Sequence, residues 1–296
     1  MTLRLLAVHA HPDDESSKGA ATYAHYVKAG AEVLVVSCTG GEEGSILNDK
    51  LVPRARAERD MAGLRVSEMA AAQAVMGVDH IWLGYHDSGL PAEGESVAIN
   101  SFSTIPLETS VEPLVRIIRR FKPQVIVTYD ENGGYPHPDH IQTHLISVAA
   151  FEAAADPARY PEAGEPWQIS KLYYDRIMNA PKVNAMLDYI KRETPDSPVI
   201  EEMTKWAERM AERPDLATTH VDVSDSFEQR DDALRAHASQ VSPDSPFFFW
   251  PLELQRNAWP TEDFQLVESK VDSPLPESDL FAGVTDDATE LVGSKA

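Results

Sequence analysis

The sequence predicts an α/β fold in which a mainly parallel β-sheet is flanked by helices. Short apolar runs typical of buried strands alternate with longer stretches of helical pattern through the first half of the chain. The connections between them are short, as in right-handed crossovers between neighbouring parallel strands. Ligands of such sheets bind beyond the carboxyl ends of the strands, so we expect a functional site in the loops at that edge.

Five strands and four helices can be assigned in the first part of the chain. The strands are predicted over residues 3–9, 32–38, 81–83, 124–129 and 171–174. The helices are predicted over residues 16–29, 54–76, 107–121 and 139–155. Gly30 and Gly77 stand where the first two helices should end, a common position for glycine.

The pattern changes after residue 178, which predicts three parts. Residues 1–178 form the main domain. Residues 179–272 form a smaller C-terminal lobe that helps to build the substrate pocket, with helices over 182–192, 198–213 and 226–240 and a strand over 220–223. In this lobe, we expect the aromatic run 247–250 to pack against the main domain. Residues 273–296 are polar and acidic, which predicts a flexible tail.

Composition and charge exclude several classes of partner. The 296 residues include 26 basic and 48 acidic side chains, a net charge of −22. A negative field of this size repels nucleic acid and anionic membranes. Apolar residues make up 43%, which excludes global disorder, and no apolar run is long enough to span a membrane. Cys38 is the single cysteine and cannot form an intrachain disulfide, so a cytoplasmic location is expected.

The loop after the first predicted strand reads His11-Pro-Asp-Asp-Glu15. It lacks the glycine fingerprint of a dinucleotide site. His11 and Asp14 are close enough to reach one metal ion, and their nitrogen and oxygen donors suit zinc. Asp13 then remains a free carboxylate beside the metal, as a general base requires. The alternative is that Asp13 and Asp14 only cap the following helix.

A second cluster, Tyr135-Pro-His-Pro-Asp-His140, also follows a strand and opens a helix. His140 can supply a third ligand, and three protein ligands leave the open position typical of catalytic zinc. His137 is then a spare imidazole, which as a cation could stabilise an oxyanion or protonate a leaving amine. We expect Asp139 to orient His137 and Tyr135 to donate a hydrogen bond to the oxyanion.

The paired segments 11–14 and 137–140 resemble the LmbE-like family of zinc deacetylases, and the likeness covers nearly the whole chain. The resemblance implies a Rossmann-like fold and hydrolysis of an amide on a glucosamine group. Iron(II) would suit the same ligands as zinc. The implied residues are the ligands His11, Asp14 and His140, the base Asp13, the acid or electrostatic stabiliser His137, and Tyr135 near the oxyanion.

Segments 16–22, 129–140, 164–167 and 229–238 most resemble one branch of this family. That branch cleaves the cysteinyl–glucosamine amide of mycothiol S-conjugates, which implies a small-molecule substrate and a role in thiol-based detoxification. The alternative branch removes acetate from the N-acetylglucosaminyl-inositol precursor of mycothiol. A non-catalytic sugar- or thiol-binding protein is a further alternative, which the spare carboxylate disfavours.

The resemblance also implies three substrate contacts. Arg65 and Asp87 should bind hydroxyls of the sugar–inositol moiety, and Lys18 should add a contact particular to the conjugate-cleaving branch. The alternatives are an exposed helix face for Arg65 and Lys18 and a turn position for Asp87. The sequence leaves the oligomeric state open, a homo-oligomer included.

Overall fold

A computed structural model describes residues 2–52, 54–92 and 94–285. Its centre is one seven-stranded sheet in the order β3-β2-β1-β4-β5-β7-β6. The strands are β1 Arg4–His9, β2 Glu32–Thr39, β3 Asp79–Tyr85, β4 Val125–Thr128, β5 Lys171–Asp175, β6 Thr219–Asp222 and β7 Thr261–Ser269. The first five pair in parallel, and β7 pairs antiparallel with β5 and β6. The predicted class, a mainly parallel α/β sheet, is confirmed.

The described residues contain ten α-helices, none of which is both long and apolar enough to cross a membrane. They are α1 Asp14–Lys18, α2 Ala20–Lys28, α3 Arg54–Arg59, α4 Met61–Met76, α5 Leu107–Phe121, α6 Pro138–Ala153, α7 Ala180–Glu193, α8 Ile200–Ala211, α9 Phe227–Ala236 and α10 Leu252–Ala258.

Apolar side chains cover both faces of the sheet. On β1, Leu5 packs into the core beneath α2, α4 and α9, while Leu6 packs into the core beneath α5 and α6. Both side chains are fully buried. Burial on two faces explains why β1, β2 and β4 are nearly continuous apolar runs rather than alternating ones.

Two predicted helices are each divided in the structure. The predicted helix 16–29 becomes α1 and α2, which meet at Gly19, where an added Cβ would lie 2.5 Å from the ring of Tyr23. The predicted helix 54–76 becomes α3 and α4. Asp60 separates them and caps α4, because its carboxylate accepts a hydrogen bond from the Gly63 amide at 2.8 Å.

The C-terminal segment contributes to the same sheet and also forms a separate apolar cluster. Strand β7 was not predicted, because its second and third residues are acidic and their burial depends on distant partners. Glu262 accepts a hydrogen bond from the Thr22 amide at 2.9 Å, and Asp263 accepts one from the Asn179 side chain at 2.6 Å. Helices α7, α8 and α10 pack around this separate apolar cluster, which is distinct from the two cores on the faces of the sheet.

The aromatic run does not pack against the main domain as expected. Trp250 joins the apolar cluster of α7, α8 and α10, and Phe248 lies 4.6 Å from the Arg235 guanidinium on α9. Phe247 and Phe249 are half exposed. The run therefore belongs to the C-terminal lobe itself.

The first part of the predicted flexible tail is packed. Glu277 forms a buried ion pair with Lys171 on β5 and accepts a hydrogen bond from the Tyr173 hydroxyl at 2.6 Å. Leu280 and Phe281 are buried in the main core. Polar composition concealed this docking because the acidic side chain has a buried cationic partner. Residues 286–296 of the predicted tail lie outside the described residues.

Candidate metal centre and active site

The site lies where β1 and β4 end. These strands are parallel neighbours, so the loops that follow them meet at one edge of the sheet. The loop after β1 leads into α1, and the loop after β4 leads into α6. This topology brings together two segments that are more than a hundred residues apart in sequence.

His11, Asp14 and His140 place one donor atom each within 4.8 Å of one another. Oδ2 of Asp14 lies 3.5 Å from Nδ1 of His11 and 3.3 Å from Nε2 of His140. All three residues are buried, and His140 Nε2 has no hydrogen-bond partner among the described residues. A buried, unpartnered nitrogen facing a carboxylate and a second imidazole fits a divalent metal, because the ion would satisfy all three donors.

His140 is held so that this nitrogen faces the cluster. Its Nδ1 lies 2.8 Å from the Gly133 carbonyl oxygen, so Nδ1 carries the proton and Nε2 is left with a free lone pair. The ring stacks on Tyr129 with centroids 4.4 Å apart. Gly133 has φ 69°, and an added Cβ would lie 2.4 Å from the His140 Cβ, so this position requires glycine.

His11 is surrounded by carboxylates. Its Nε2 lies 3.3 Å from Asp139 and 3.5 Å from Asp87. Burial alone would lower the pKa of His11, but Asp139, Asp14 and Asp87 outweigh it and raise the pKa well above its usual range. Because Asp139 and Asp87 lie next to Nε2 of His11, the other ring nitrogen, Nδ1, faces Asp14.

Asp139 contacts both histidines: its carboxylate lies beside His11, and its backbone amide, rather than its side chain, holds His137. It is fully buried and held by Ser88, whose amide donates to Oδ2 at 2.9 Å and whose hydroxyl donates to Oδ1. No sequence motif pointed to Ser88. Its neighbour Asp87 is also buried and accepts hydrogen bonds from the amides of Gly89 and Glu43.

Lys18 lies inside the site rather than on an exposed helix face. It is 8% exposed, and its ammonium bonds Oδ1 of Asp14, the oxygen that faces away from the histidines. Burial would raise the pKa of Asp14, but His140 and Lys18 outweigh it and hold the pKa well below its usual range. Asp14 is therefore ionised and ready to bind a cation.

Asp13 stands beside this cluster in a strained conformation, with φ 123°. Its amide donates to Glu15 Oε2 at 2.8 Å, and its carboxylate lies 3.0 Å from Nη2 of Arg65. Burial raises the pKa of Asp13, and the charge of Arg65 partly opposes the rise. A carboxylate with a raised pKa that remains partly exposed is suited to accept a proton.

Arg65 supports the loops from beneath. It is 3% exposed, and it donates to the carbonyl oxygens of Pro12 and, at 2.9 Å, Gly41. Gly41 has φ 64°, and an added Cβ would lie 2.0 Å from the guanidinium, so only glycine permits this contact. The alternative interpretation of Arg65 as part of an exposed helix face is therefore wrong, and the contacts of its side chain are with the protein.

His137 and Tyr135 complete the rim of the site. The ring of His137 lies 4.7 Å from that of His11, and the ring of half-exposed Tyr135 lies 4.5 Å from that of His140. Nδ1 of His137 accepts a hydrogen bond from the Asp139 amide at 3.2 Å, which places the proton of a neutral ring on Nε2. Burial, with His11 and His140 nearby, lowers the pKa of His137 to about 4. The structure favours a neutral donor rather than the expected cation.

Glu15 and His237 form a support that the sequence did not reveal. Glu15 Oε1 lies 2.8 Å from Nε2 of His237, which follows α9, and both side chains are fully buried. Burial would raise the pKa of Glu15, but His237 outweighs it and lowers the pKa to about 2. Because the same carboxylate accepts a hydrogen bond from the Asp13 amide, this ion pair connects the C-terminal segment to the loop that carries Asp13.

This sheet and this cluster of donors are together typical of metal-dependent hydrolases. Residues 6–151 match the family model described as PIG-L, GlcNAc-PI de-N-acetylase, and the chain belongs to this family. It is an enzyme of the amidase and deacetylase type.

Two relatives at high identity and one solved structure place the chain further. The chain is 50% identical to the "Mycothiol S-conjugate amidase" of Streptomyces coelicolor over 97% of this chain and 99% of that one. It is 40% identical to the "1D-myo-inositol 2-acetamido-2-deoxy-alpha-D-glucopyranoside deacetylase" of Streptomyces avermitilis over 95% and 97%. The N,N'-diacetylchitobiose deacetylase of Pyrococcus horikoshii shares the fold, with a TM-score of 0.59 and 19% identity over 89% and 83%.

Proposed function

We propose that this protein hydrolyses the cysteinyl–glucosamine amide of mycothiol S-conjugates. The products would be a mercapturic acid and glucosaminyl-inositol. The observation that carries the proposal is the 50% identity, over almost the full length of both chains, to a relative with that printed activity. The conjugate would be cleaved in the cytoplasm, a reducing compartment that suits a protein whose single cysteine is free and buried.

His11, Asp14 and His140 would hold a zinc ion, and iron(II) would accept the same donors. Such an ion supplies Lewis acidity, which polarises the amide carbonyl and makes water more acidic. The ordering of the donors supports this assignment, since Gly133 fixes the tautomer of His140 and Lys18 fixes the far oxygen of Asp14.

Asp13 would accept the proton of water as it attacks the amide carbon. Its partial exposure, its raised pKa and the anchoring of its loop by Arg65 and Glu15 all suit this role. The Nε2–H of His137 and the hydroxyl of Tyr135 would donate hydrogen bonds to the developing oxyanion. The glucosamine nitrogen would leave after protonation by Asp13, which returns the proton that it took from water.

The implied substrate contacts remain part of the proposal, and their surroundings differ. Asp87 lies beside His11 and would accept a hydrogen bond from a sugar hydroxyl. Lys18 and Arg65 would act at the substrate through the loops that they brace, since each is bound to protein oxygens.

Deacetylation of N-acetylglucosaminyl-inositol is the second candidate, because a relative of 40% identity bears that name. Both reactions cleave an amide on the same sugar nitrogen, so the same catalytic residues serve either. The test is product analysis by mass spectrometry after incubating the zinc-loaded protein with the bimane adduct of mycothiol and, in a parallel sample, with N-acetylglucosaminyl-inositol. We expect bimane mercapturic acid and glucosaminyl-inositol in equal amounts. Intact adduct alongside free acetate from the precursor would favour the second candidate.

A further inference from the structure

A cavity of about 1020 Å³ lies between α1 and the C-terminal lobe. Its walls come from α1, the segment after β5, α7, α8 and the aromatic run at 246–250. Ligand pockets of drug-sized molecules are typically about 300–1,000 Å³, so this cavity can hold a sizeable organic group. None of the metal-cluster residues lines it.

The lining of the cavity is dominated by thioethers and aromatic rings. The apolar side chains that define it are Met178, Met186, Met203, Trp206, Phe249 and Trp250. Met178 is 41% exposed and Phe249 is 55% exposed. Methionine side chains repack easily around ligands of different shape. Large apolar side chains clustered at a surface mark a binding site for an apolar partner.

Charged side chains at the cavity are largely bound to protein. Glu262 accepts two hydrogen bonds from Thr22, and Arg230 pairs with Asp231 at 2.8 Å. The ammonium of Lys182 donates to the Ile177 carbonyl oxygen at 3.2 Å. Because these groups already have partners, the free surface of the cavity is chiefly apolar.

Helix α1 links the cavity to the metal cluster, because it carries both Asp14 and a residue of the cavity wall. Ser17 lines the cavity, and the hydroxyl of Ser17 lies 3.4 Å from the ammonium of Lys18, which in turn bonds the ligand Asp14. Arg176 follows β5 and precedes the lining residues Ile177 and Met178, and it forms an ion pair with Asp130 in the loop that carries His137. Both active-site loops are thus attached to walls of the cavity.

We propose that this cavity receives the apolar substituent carried on the sulfur of the thiol adduct. The inference rests on the proposed function, because it needs the cysteinyl amide to be cleaved at the adjacent metal cluster. The sulfur is a few bonds from that amide, so its substituent must extend into space next to the cluster. A large, adaptable, apolar space accepts substituents of many shapes, whereas a deacetylase acting on the acetylated precursor has no such group to place.

The first test narrows the cavity. Val199 lies on its wall at the start of α8, and Val199→Trp should fill part of the space. Hydrolysis of the bulky bimane adduct of mycothiol is compared with that of its small S-methyl adduct. We expect kcat/KM for the bimane adduct to fall about tenfold or more, with the S-methyl adduct changed less than about threefold. An equal loss for both adducts, or no loss for either, would overturn the inference.

A second pair of variants removes apolar contact without filling the space. Met178→Ser acts on the cavity, and Leu216→Ser is the matched control, because Leu216 lies in the same lobe outside the cavity and is 43% exposed. We expect Met178→Ser to raise KM for the bimane adduct while Leu216→Ser does not. Equal effects of the two variants would contradict the cavity assignment.

Failure of the inference and failure of the proposed function give different results. If the unaltered protein cleaves neither adduct, the proposed function fails. If it cleaves both and the two cavity variants show no preference for the smaller adduct, the proposed function stands and the cavity assignment falls. Thermal unfolding of each variant shows whether a loss comes from folding.

Discussion

The two walls of the substrate space differ in chemistry. The edge of the sheet after β1 and β4 holds buried charges, each fixed by named partners, as when Lys18 and His140 flank Asp14. The C-terminal lobe offers methionine and aromatic side chains, several of them half exposed. The difference teaches that the rigid, charged edge is suited to one reaction and the soft, apolar lobe to many substituents.

The charged edge is most simply disrupted at one of the three proposed metal ligands. His140→Ala should lose the bound metal and bring activity to background, because its unpartnered Nε2 is one of three donors. Elemental analysis after dialysis measures the metal. His144→Ala is the matched control, since His144 lies on the same helix outside the cluster and should leave metal content unchanged. Full metal occupancy in His140→Ala would contradict the assignment of His140 as a ligand.

The next largest effect is expected at the base. Asp13→Asn keeps the shape of the side chain and the three metal donors but removes the proton acceptor. We expect turnover to fall by about 10²–10⁴-fold with metal content unchanged. Steady-state kinetics and elemental analysis of the same sample measure both. A rate near that of the unaltered protein would mean that another group accepts the proton.

The ion pair between Glu15 and His237 joins the two walls. His237→Ala leaves a fully buried carboxylate without its cationic partner, which should cost about 3–5 kcal/mol of unfolding free energy. The double variant with Glu15→Gln should recover part of that loss. Denaturant unfolding of the metal-free protein measures it, and a single variant as stable as the original would refute the coupling.

The pH dependence of this pair follows from its shifts. Burial would raise the pKa of Glu15, but pairing with His237 outweighs burial and lowers the pKa to about 2. The contribution of Glu15 to folding stability is therefore complete above the pKa of this side chain in the unfolded chain, and it is lost as pH falls towards 2. The pKa of His237 is raised, mainly by Glu15 against the effect of burial, so its contribution is complete below the unfolded value and is lost as pH rises through the raised pKa. The unfolding free energy of the metal-free double variant should therefore change less between about pH 4 and pH 2 than that of the unaltered protein.

The smallest effect is expected at Asp175, at the end of β5. Its Oδ2 is buried without a hydrogen-bond partner among the described residues, and burial raises its pKa to about 7. The folded state therefore binds more protons than the unfolded state between the ordinary pKa and about 7, so stability falls as pH rises through that interval. Asp175→Asn should add about 1–3 kcal/mol above pH 7 and leave a flatter curve. Unfolding that keeps the original pH slope would contradict this.

The sequence predicted the charged edge better than the apolar lobe. The proposed ligands and the proposed base lie in two short motifs, each next to an apolar strand. Helix α5 was predicted over its full range. Contacts between residues that are distant in sequence could not be predicted. Examples are the hydrogen bond from Ser88 to Asp139 and the ion pair between His237 and Glu15.

The errors in the C-terminal region have a common physical cause. Strand β7 and residues 273–285 contain acidic side chains that are buried only because distant residues compensate them, as Lys171 does for Glu277. Hydrophobic pattern does not reveal such compensation. Similarly, the break at Asp60 depends on one local hydrogen bond within a helical pattern.

The central claim is that the charged edge and the apolar lobe together select a thiol adduct over the acetylated precursor. A competition in one solution tests it, with zinc-loaded protein, the bimane adduct of mycothiol and N-acetylglucosaminyl-inositol at equal concentrations. The relative rates of consumption give the ratio of the two kcat/KM values. The adduct should be consumed first. Prior consumption of the acetylated precursor would contradict the account.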